Sequence, residues 1–511
     1  MSQRYRHFDV KRLASIAAAS VGAETCTGIE KCADGMYNKA FLLTMDNGSQ
    51  VVAKIPNPNA GLPHLTTASE VATMEFARRV CKTPVPKIYT WSSQDNPVGA
   101  EYIIMEKVQG VQLDTVWPSM GISDRFDIVK SIAGYQEAWM SASFDHFGSL
   151  YFARDLDGVH HHRVFQSFSS DTDTELPEFA IGPSTGREYC DAGRASIEYD
   201  RGPWSTLTEY LTAIGVREMT CVKQLPSLPK SSIALYGPGT YQPTRGRKTR
   251  AIECYLAMVK LLCPVDRSIA SPCIWHGDLH VENIFVNPEY PTRIVGIIDW
   301  QSTQVAPLFY HARQPYILDH NGPQLKGLQR PCLPENLGRL DNDAKREANA
   351  LYHKQALCAL YRNFVHKYNP NLYRALEFQE TTSFDLLLLA RNLLVDGEAT
   401  YLSRIAGLEE DWSGLPGVAS LEHHNPFPFH FSDAEKADMD RNTSGALLGM
   451  QAMQSIQESI GDLFPEQGIV LPDQYEEAKD ALRQAKEFII QTFAKNETER
   501  KIWDEEWPFD D

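Results

Sequence analysis

The segment 273–301 constrains the fold of this chain more than any other part of the sequence. It reads CIWHGDLHVENIFV, then NPEYPT, then RIVGIIDWQ, and the apolar runs at 284–286 and 293–298 are typical of β-strands. Pro288 and Pro291 in the stretch between the two runs favour a turn. The segment therefore predicts an antiparallel hairpin.

The two ends of this hairpin carry oxygen ligands. The residue before the first strand is Asn283 and the residue after the second is Asp299, and paired strands lie roughly 5 Å apart. An amide oxygen beside a carboxylate suits Mg²⁺, which keeps several waters and takes further ligands from phosphates. Asp278 lies in the preceding loop, where a base for a substrate hydroxyl belongs.

The N-terminal region has the pattern of a small sheet with one helix. The runs AFLLTMD and QVVAKI are rich in β-formers, and Asn47-Gly48 between them is a strong hairpin signal. A helical pattern at 66–82 and a third β run, EYIIMEKV, follow. Lys54 interrupts the second apolar run, and a buried ammonium needs an anion. We expect a nucleotide phosphate and Glu70, on the neighbouring helix, to supply the negative charge.

Beyond residue 120 the sequence predicts mainly helices. The stretch 146–203 is rich in His, Asp, Ser and Gly and predicts irregular structure. Helical periodicity predicts helices at 124–143, 204–217, 248–264, 342–368, 378–407, 433–460 and 473–502.

Composition narrows the range of partners. The 49 Lys and Arg against 66 Asp and Glu give a net charge of −17, which disfavours a nucleic-acid partner. No apolar run approaches the ~20 residues of a membrane-spanning helix. The ten cysteines form no CxxC pair, which favours a reducing, intracellular compartment.

The motifs HGDLHVEN and IIDW, preceded by Lys54, Glu70 and the strand EYIIME, resemble the aminoglycoside phosphotransferase and choline kinase branch of the protein-kinase-like fold. The resemblance implies ATP and Mg²⁺ as cofactors. It also implies a role for each matching residue: Asp278 as catalytic base, Asn283 and Asp299 as magnesium ligands, Lys54 on the α and β phosphates, Glu70 as the partner of Lys54, and His276 as a brace of the catalytic loop.

The same resemblance places the rest of the nucleotide. It implies that Gly35 and Asn38, within ADGMYN, lie in the loop over the phosphates, and that adenine binds along Met105, Glu106 and Val108. ADGMYN has one glycine where protein kinases have three. HGD and DWQ replace the HRD and DFG of protein kinases, which favours a small-molecule hydroxyl acceptor over a protein.

Further segments, including QVVAKIP, PVPKIYTW and GPWSTLTEYLTAIGVRE, resemble the fungal altered inheritance of mitochondria protein 9 group over about 8–460. Members of that group usually begin with a mitochondrial presequence. The first twenty residues, with Arg4, Arg6, Lys11 and Arg12 against Asp9, are compatible with such a signal or with a first domain helix. We therefore expect a location in the cytosol or in mitochondria.

These observations predict an α+β, protein-kinase-like bilobal fold: a small antiparallel-sheet lobe at 1–107, a helical lobe at 108–420 with an insertion at about 146–260, and a helical extension at 421–511. The predicted function is ATP-dependent transfer of the γ-phosphate to a small-molecule hydroxyl. The alternative is a catalytically weak, nucleotide-binding scaffold with a regulatory or mitochondrial-maintenance role.

Three local patterns have a second interpretation. His276, Asp278 and His280 form HxDxH, which is also found around zinc. Glu70 stands three residues after Thr67 in a capping-box pattern, and Glu75 is then the alternative partner of Lys54. The cluster at 160–162, HHH, favours an exposed loop over a metal site.

Overall fold

A computed structural model describes residues 6–32, 35–166, 174–421, 423, 425–465, 470 and 474–509. The chain divides into two compact units: the first comprises Met1–Asp191, Asp200–Tyr210 and Asp266–Thr381, and the second Ala192–Tyr199, Leu211–Val265 and Thr382–Asp511. All the candidate site residues lie in the first unit. The predicted lobe boundaries at 107 and 420 stay predictions.

The first unit begins with the predicted antiparallel sheet. Its strands, in the spatial order β1-β2-β3-β5-β4, are β1 (Cys26–Lys31), β2 (Asn38–Met45), β3 (Gln50–Pro56), β4 (Ile88–Ser92) and β5 (Tyr102–Glu106). Asn47 and Gly48 lie in the turn between β2 and β3, where Gly48 takes the left-handed φ of 82° that the tight turn requires. The predicted hairpin at this position is confirmed.

Two helices pack with this sheet. Helix α1 (Val10–Ser20) is capped by Asp9 and contributes the buried Leu13 and Ala17 to the sheet's core, so these residues form a domain helix. Helix α2 (Leu65–Arg79) connects β3 to β4 and is buried along most of its length. With its antiparallel sheet, its single connecting helix and its mainly helical remainder, the chain has the predicted α+β, protein-kinase-like fold class.

The outer side of α2 is covered by a second sheet, which the sequence pattern did not predict. Its strands Ser149–Phe152 and His162–Gln166 flank the central strand Thr174–Gly182. The rings of Phe76 on α2 and Phe179 on the central strand lie 5.3 Å apart. The prediction of irregular structure across 146–203 is therefore wrong for these strands.

The remaining elements of the first unit include the predicted hairpin of the 273–301 segment. Strands Ile284–Val286 and Ile294–Ile297 pair antiparallel as predicted, and Val111–Gln112 pairs with the first of them. A further pair is formed by Pro272–Ile274 and Val305–Pro307. The helices are Leu113–Val116, Ile122–Ser141, Arg267–Ala270, Leu308–His311, Asn342–Tyr368 and Pro370–Phe378.

The second unit is helical. The helix Leu207–Gln224 begins in the stretch Asp200–Tyr210 of the first unit and continues in the second. The other helices of the second unit are Arg245–Leu262, Thr382–Ala390, Glu398–Gly407, Pro416–Ala419, Asp433–Ile460, Tyr475–Phe493 and Glu497–Glu505. No helix in the described ranges is both long and apolar enough to cross a membrane.

Two predicted helices are each divided in two. The helix predicted at 378–407 is interrupted at 391–397, where buried charges bind the non-helical backbone: Glu218 accepts from the Leu394 amide at 2.8 Å, and Lys248 donates to the Leu393 carbonyl at 3.1 Å. The helix predicted at 473–502 is interrupted before Asn496, whose side chain caps the second half. Hydrophobic periodicity alone does not predict either interruption.

Trp139, on the helix Ile122–Ser141, packs against Trp300, which follows the hairpin. Its indole is fully buried, lies 5.5 Å from the ring of Trp300 and donates to Thr83 Oγ1 at 2.8 Å. We predict that Trp139→Ala lowers the free energy of unfolding of the first unit by about 3–5 kcal/mol, measured by urea denaturation. Trp117→Ala, at a half-buried tryptophan packed on Arg125, is the control and should cost less. Equal losses would contradict the role assigned to Trp139.

Candidate active site

A buried lysine joins three elements of the first unit. Lys54 Nζ, on β3, lies 2.6 Å from Glu70 Oε1 on α2 and 2.8 Å from Asp299 Oδ1 after the hairpin. The side chains of Lys54 and Glu70 are only 9% and 5% exposed, whereas that of Asp299 is 39% exposed. We call these three residues the ion triad. The triad is therefore accessible to solvent at Asp299.

The charges of the triad shift one another's protonation. Burial lowers the pKa of Lys54, but the carboxylates of Asp299 and Glu70 outweigh burial and the net pKa is raised. The ammonium of Lys54 holds the pKa of Asp299 below its ordinary value. Burial raises the pKa of Glu70 despite the lysine. Lys54 is thus cationic and Asp299 ionised at neutral pH.

Two alternative interpretations do not hold: that Glu70 caps α2, and that Glu75 is the partner of Lys54. Helix α2 begins at Leu65, so Glu70 is not at its first turn, and the Thr67 hydroxyl donates to Glu101 instead of capping the helix. Glu75 pairs with Arg78 at 2.8 Å. The capping-box interpretation is therefore wrong, and the structure places Glu70 beside Lys54.

The hairpin brings Asn283 and Asp299 to the same end, as its topology requires. The Ile298 amide donates to the Asn283 carbonyl at 3.0 Å, which joins the two ends of the hairpin. Asp299 takes a left-handed φ of 63°, a conformation that costs a non-glycine residue of order 1 kcal/mol or more and turns its carboxylate back toward Lys54.

Asp278 lies next to this end of the hairpin. The Asn283 amide nitrogen donates to the Asp278 carbonyl oxygen at 2.9 Å and to its carboxylate Oδ2 at 3.3 Å. His280 Nε2 also lies 3.3 Å from that carboxylate. The Asp278 side chain is 60% exposed, so one carboxylate is held by the loop and still faces solvent.

His276 is a structural support of this loop. It is buried, its Nε2–H donates to the Ile298 carbonyl at 2.8 Å, and its Nδ1 accepts from the Asp278 amide at 3.3 Å. Burial lowers its pKa, so the ring is neutral. Both ring nitrogens are occupied, which makes the zinc interpretation of HxDxH wrong for this residue. In the described part of the chain, no three His, Cys, Asp or Glu residues could hold a metal together.

The predicted adenine segment leaves the sheet at Glu106. Met105 is paired with strands on both sides, and the Glu106 amide donates to the Lys87 carbonyl at 2.8 Å. Val108 lies past the strand and over the hairpin: a Cβ placed on Gly296 would come within 2.6 Å of the Val108 side chain. A glycine at 296 is what lets this segment approach the hairpin.

The loop 35–38 leads into β2. Gly35 precedes the strand, and Asn38 begins it and donates through Nδ2 to Gln301 Oε1 at 2.5 Å. Two residues of the quoted ADGMYN, Ala33 and Asp34, lie outside the described residues. The loop is thus attached, through one side chain, to the segment that carries Asp299.

Sequence reasoning missed a buried chain of hydroxyl groups behind the triad. Ser149 Oγ donates to the Thr303 carbonyl at 3.1 Å and lies 3.2 Å from Thr185 Oγ1, which donates to Ser69 Oγ at 3.4 Å. Ser69 is adjacent to Glu70. Four Ser and Thr residues so far apart in sequence carry no periodic signal, so nothing in the sequence pattern could have identified them.

The histidine cluster at 160–162 is partly stacked. His162, at the start of its strand, lies with its ring 3.6 Å from that of His146, and burial and then the neighbouring His146 lower its pKa. Parallel rings at this distance do not point two nitrogens at one ion, and the cluster has no place in the candidate site.

The neutral state of His276 gives a pH dependence. Because its folded pKa lies below the ~6.5 of a free imidazole, the unfolded chain takes up a proton that the folded chain does not, and stability is lost as the pH falls through about 6.5. We predict that His276→Gln, which can still donate to Ile298, loses stability less steeply between about pH 7 and 5, by up to ~1.4 kcal/mol per pH unit. Urea denaturation at several pH values measures this.

The exposed His7 provides the matched control. The substitution His7→Gln should leave the wild-type pH dependence unchanged. The same dependence in wild-type and His276→Gln proteins would mean that His276 is not buried in its neutral form.

Comparisons with known proteins find several that are similar to this chain. Residues 224–311 match the phosphotransferase enzyme family, APH. A subtelomeric hrmA-associated cluster protein of Aspergillus fumigatus is 29% identical over 520 residues, covering 95% of this chain and 97% of that protein. The mitochondrial altered inheritance of mitochondria protein 9 of Yarrowia lipolytica is 22% identical over 446 residues, covering 83% of this chain and 74% of that protein.

Among solved structures, a putative aminoglycoside phosphotransferase from Ralstonia eutropha is 15% identical, with a TM-score of 0.38, and the match covers 88% of this chain and 99% of that one. The predicted resemblance, both to phosphotransferases and to the protein 9 group, is confirmed; the Aspergillus protein is a relative that the predicted resemblance does not include. Residues 224–311, which include the catalytic-loop segment and the hairpin, are thus similar to the phosphotransferase enzyme family.

Proposed function

We propose that this protein is a kinase that transfers the γ-phosphoryl group of ATP to a hydroxyl of a small molecule. The observation that carries the proposal is the ion triad next to the hairpin end with Asn283 and Asp278. A lysine fixed between two carboxylates beside an exposed third carboxylate is the arrangement that phosphoryl transfer needs. The family match at 224–311 supports the same class of reaction.

Lys54 and the hairpin end would hold the triphosphate and its metal. The Asn283 amide nitrogen faces Asp278, so its oxygen is the atom available to a cation, and the partly exposed Asp299 carboxylate lies at the same end of the hairpin. One amide oxygen and one carboxylate oxygen fit Mg²⁺, which takes its other ligands from water and phosphate. When bound, Mg²⁺ would neutralise charge on the β and γ phosphates. Lys54 would orient the α and β phosphates.

Asp278 would act as the base. The acceptor oxygen attacks the γ-phosphorus while the bond from that phosphorus to the β–γ bridging oxygen breaks, ADP leaves, and the hydroxyl proton passes to the Asp278 carboxylate. The Asn283 amide nitrogen donates to Oδ2 of Asp278, and the Asp278 side chain, which is 60% exposed, is accessible to an acceptor. His276 is a positioning residue, because it fixes the Asp278 amide rather than touching substrate.

The adenine would bind to backbone groups beyond β5. The Glu106 amide is used within the sheet, so we place adenine recognition at Val108, with Met105 and Glu106 forming the edge of the pocket. Gly35 and Asn38 would lie over the phosphates. An intracellular location, in the cytosol or in mitochondria, is part of the proposal; ten free cysteines and the printed name of the Yarrowia relative support it.

We predict that Asp278→Asn lowers turnover by about 10²–10⁴-fold, because the base is lost while Asn283 can still donate to the new side chain. Turnover is measured as phosphorylated product, by its mass shift, with a pooled metabolite extract as acceptor. MgATP affinity, measured by calorimetry, should persist.

Glu282→Gln changes an exposed carboxylate of the same loop and is the control, with no expected effect. If the Asp278→Asn protein turned over like the wild type, Asp278 would not be the base. If the wild type bound MgATP and formed no product, the scaffold function would replace the enzymatic one.

We predict that Asp299→Asn removes the Mg²⁺ dependence of ATP binding, because the substitution takes one charge from both the metal and Lys54. MgATP affinity should fall by more than about tenfold, while ATP affinity without Mg²⁺ should change less. Calorimetry with and without Mg²⁺ measures both. Asp319→Asn, at an exposed aspartate paired with Arg313, is the control. An undiminished MgATP affinity in Asp299→Asn would exclude the metal role.

A further inference from the structure

The loop 35–38 is held from one side by a group of polar contacts. Asn38 Nδ2 donates to Gln301 Oε1 at 2.5 Å, and Gln301 Nε2 donates to the Ala60 carbonyl at 3.1 Å. The Asn57 amide donates to the Tyr37 carbonyl at 2.8 Å, and Asn57 Nδ2 to the Met36 carbonyl at 3.3 Å. Successive residues of the loop are therefore bound to the segment after β3 or to the segment after Asp299.

Arg187, from the region after the second sheet, completes this group. Its guanidinium lies 3.8 Å from the centre of the Tyr37 ring. Its Nη1 donates to the carbonyl oxygens of Asn59, at 3.1 Å, and Ala60, at 2.8 Å, and its other nitrogens pair with Asp191. The Ala60 carbonyl thus accepts from both Arg187 and Gln301. We call Asn57, Ala60, Arg187 and Gln301 the loop clasp.

The clasp can order the loop 35–38, which has a single glycine, before a ligand binds. Glycine-rich loops bind phosphate by bringing backbone amides close to it, at the cost of ordering a flexible segment on binding. In 35–38, Met36, Tyr37 and Asn38 have less backbone freedom than glycine, and the clasp contacts each of them from outside the loop. A loop that is fixed before the ligand arrives loses less entropy when it binds.

We propose that the loop clasp is the device that positions 35–38 over the triphosphate, with Gln301 and Arg187 as its positioning residues. Gln301 lies two residues after Asp299. The clasp therefore connects the loop 35–38, which would lie over the phosphates, to the segment that carries the proposed metal ligand. The ligand class is a nucleoside triphosphate or diphosphate with Mg²⁺, and this inference rests on the proposed function. Adenosine has no phosphates, so we expect the clasp to have no effect on adenosine binding.

Binding of MgATP and of adenosine to the full chain tests the proposal. Gln301→Ala removes the donors and acceptors of two hydrogen bonds, and we expect MgATP affinity to fall about three- to tenfold with adenosine affinity unchanged. Arg187→Lys keeps the charge but loses the planar fork, and it should have the same selective effect. The double variant of Asn38→Ala and Gln301→Ala should weaken MgATP binding no more than Gln301→Ala alone, because Asn38→Ala removes a hydrogen bond that Gln301→Ala already removes.

Gln304→Ala is the matched control, since this glutamine of the same segment bonds to Ser184 and Glu188 and not to the loop. It should leave both affinities unchanged. Asn38→Ala alone provides the same readout if Gln301→Ala does not fold, which circular dichroism would show.

The outcomes separate the two hypotheses. A wild-type protein without measurable MgATP affinity would overturn the proposed function and the clasp with it. A wild type that binds MgATP, with Gln301→Ala and Arg187→Lys unchanged, would overturn the clasp alone. Equal losses for MgATP and adenosine, or additive effects of Asn38→Ala and Gln301→Ala, would also overturn it, because the clasp would then not act on the phosphates.

Discussion

The contact of one ammonium with two carboxylates sets the arrangement of the whole first unit. Lys54, Glu70 and Asp299 come from a strand, a helix and the end of a hairpin, and each must be placed to within hydrogen-bond distance. Removing such charges from water costs several kcal/mol per ion unless they are paired well. Two negative charges around one positive charge leave an excess of negative charge on the Asp299 side, which a divalent cation would balance in the proposed function. The contact that constrains the fold would then also prepare the proposed site for a metal and phosphates.

The local parts of this arrangement could be predicted from the sequence. Asn47-Gly48 fixed the register of β2 and β3, and the proline-rich turn at 287–292 brought Asn283 and Asp299 to one end of a hairpin. Lys54 was recognised because a charge inside an apolar strand needs a partner. Each of these inferences concerns residues that are near in sequence or a charge whose burial is costly, and elementary physical chemistry is sufficient for both.

The remaining parts depend on contacts between distant segments, which a periodicity does not record. The second sheet lies in a stretch whose polar composition predicts irregular structure, and it gains its stability by packing on α2. The break at 391–397 depends on Glu218 and Lys248, more than a hundred residues away in the sequence. The sequence alone could not test the choice of Glu70 over Glu75, because the partner of Lys54 depends on how α2 packs beside β3.

The second sheet has a consequence for how such a protein could be controlled. In protein kinases, the helix that carries the glutamate partner of the lysine is moved to form or break the pair. Here that helix, α2, is enclosed on both sides, and the hydroxyl chain from Ser69 to the Thr303 carbonyl attaches it to the segment after Asp299. Withdrawing Glu70 by a movement of α2 would break these contacts. In the proposed function, the enzyme would therefore not be switched by a movement of α2. Its reaction rate would follow the supply of its substrates and the abundance of the protein.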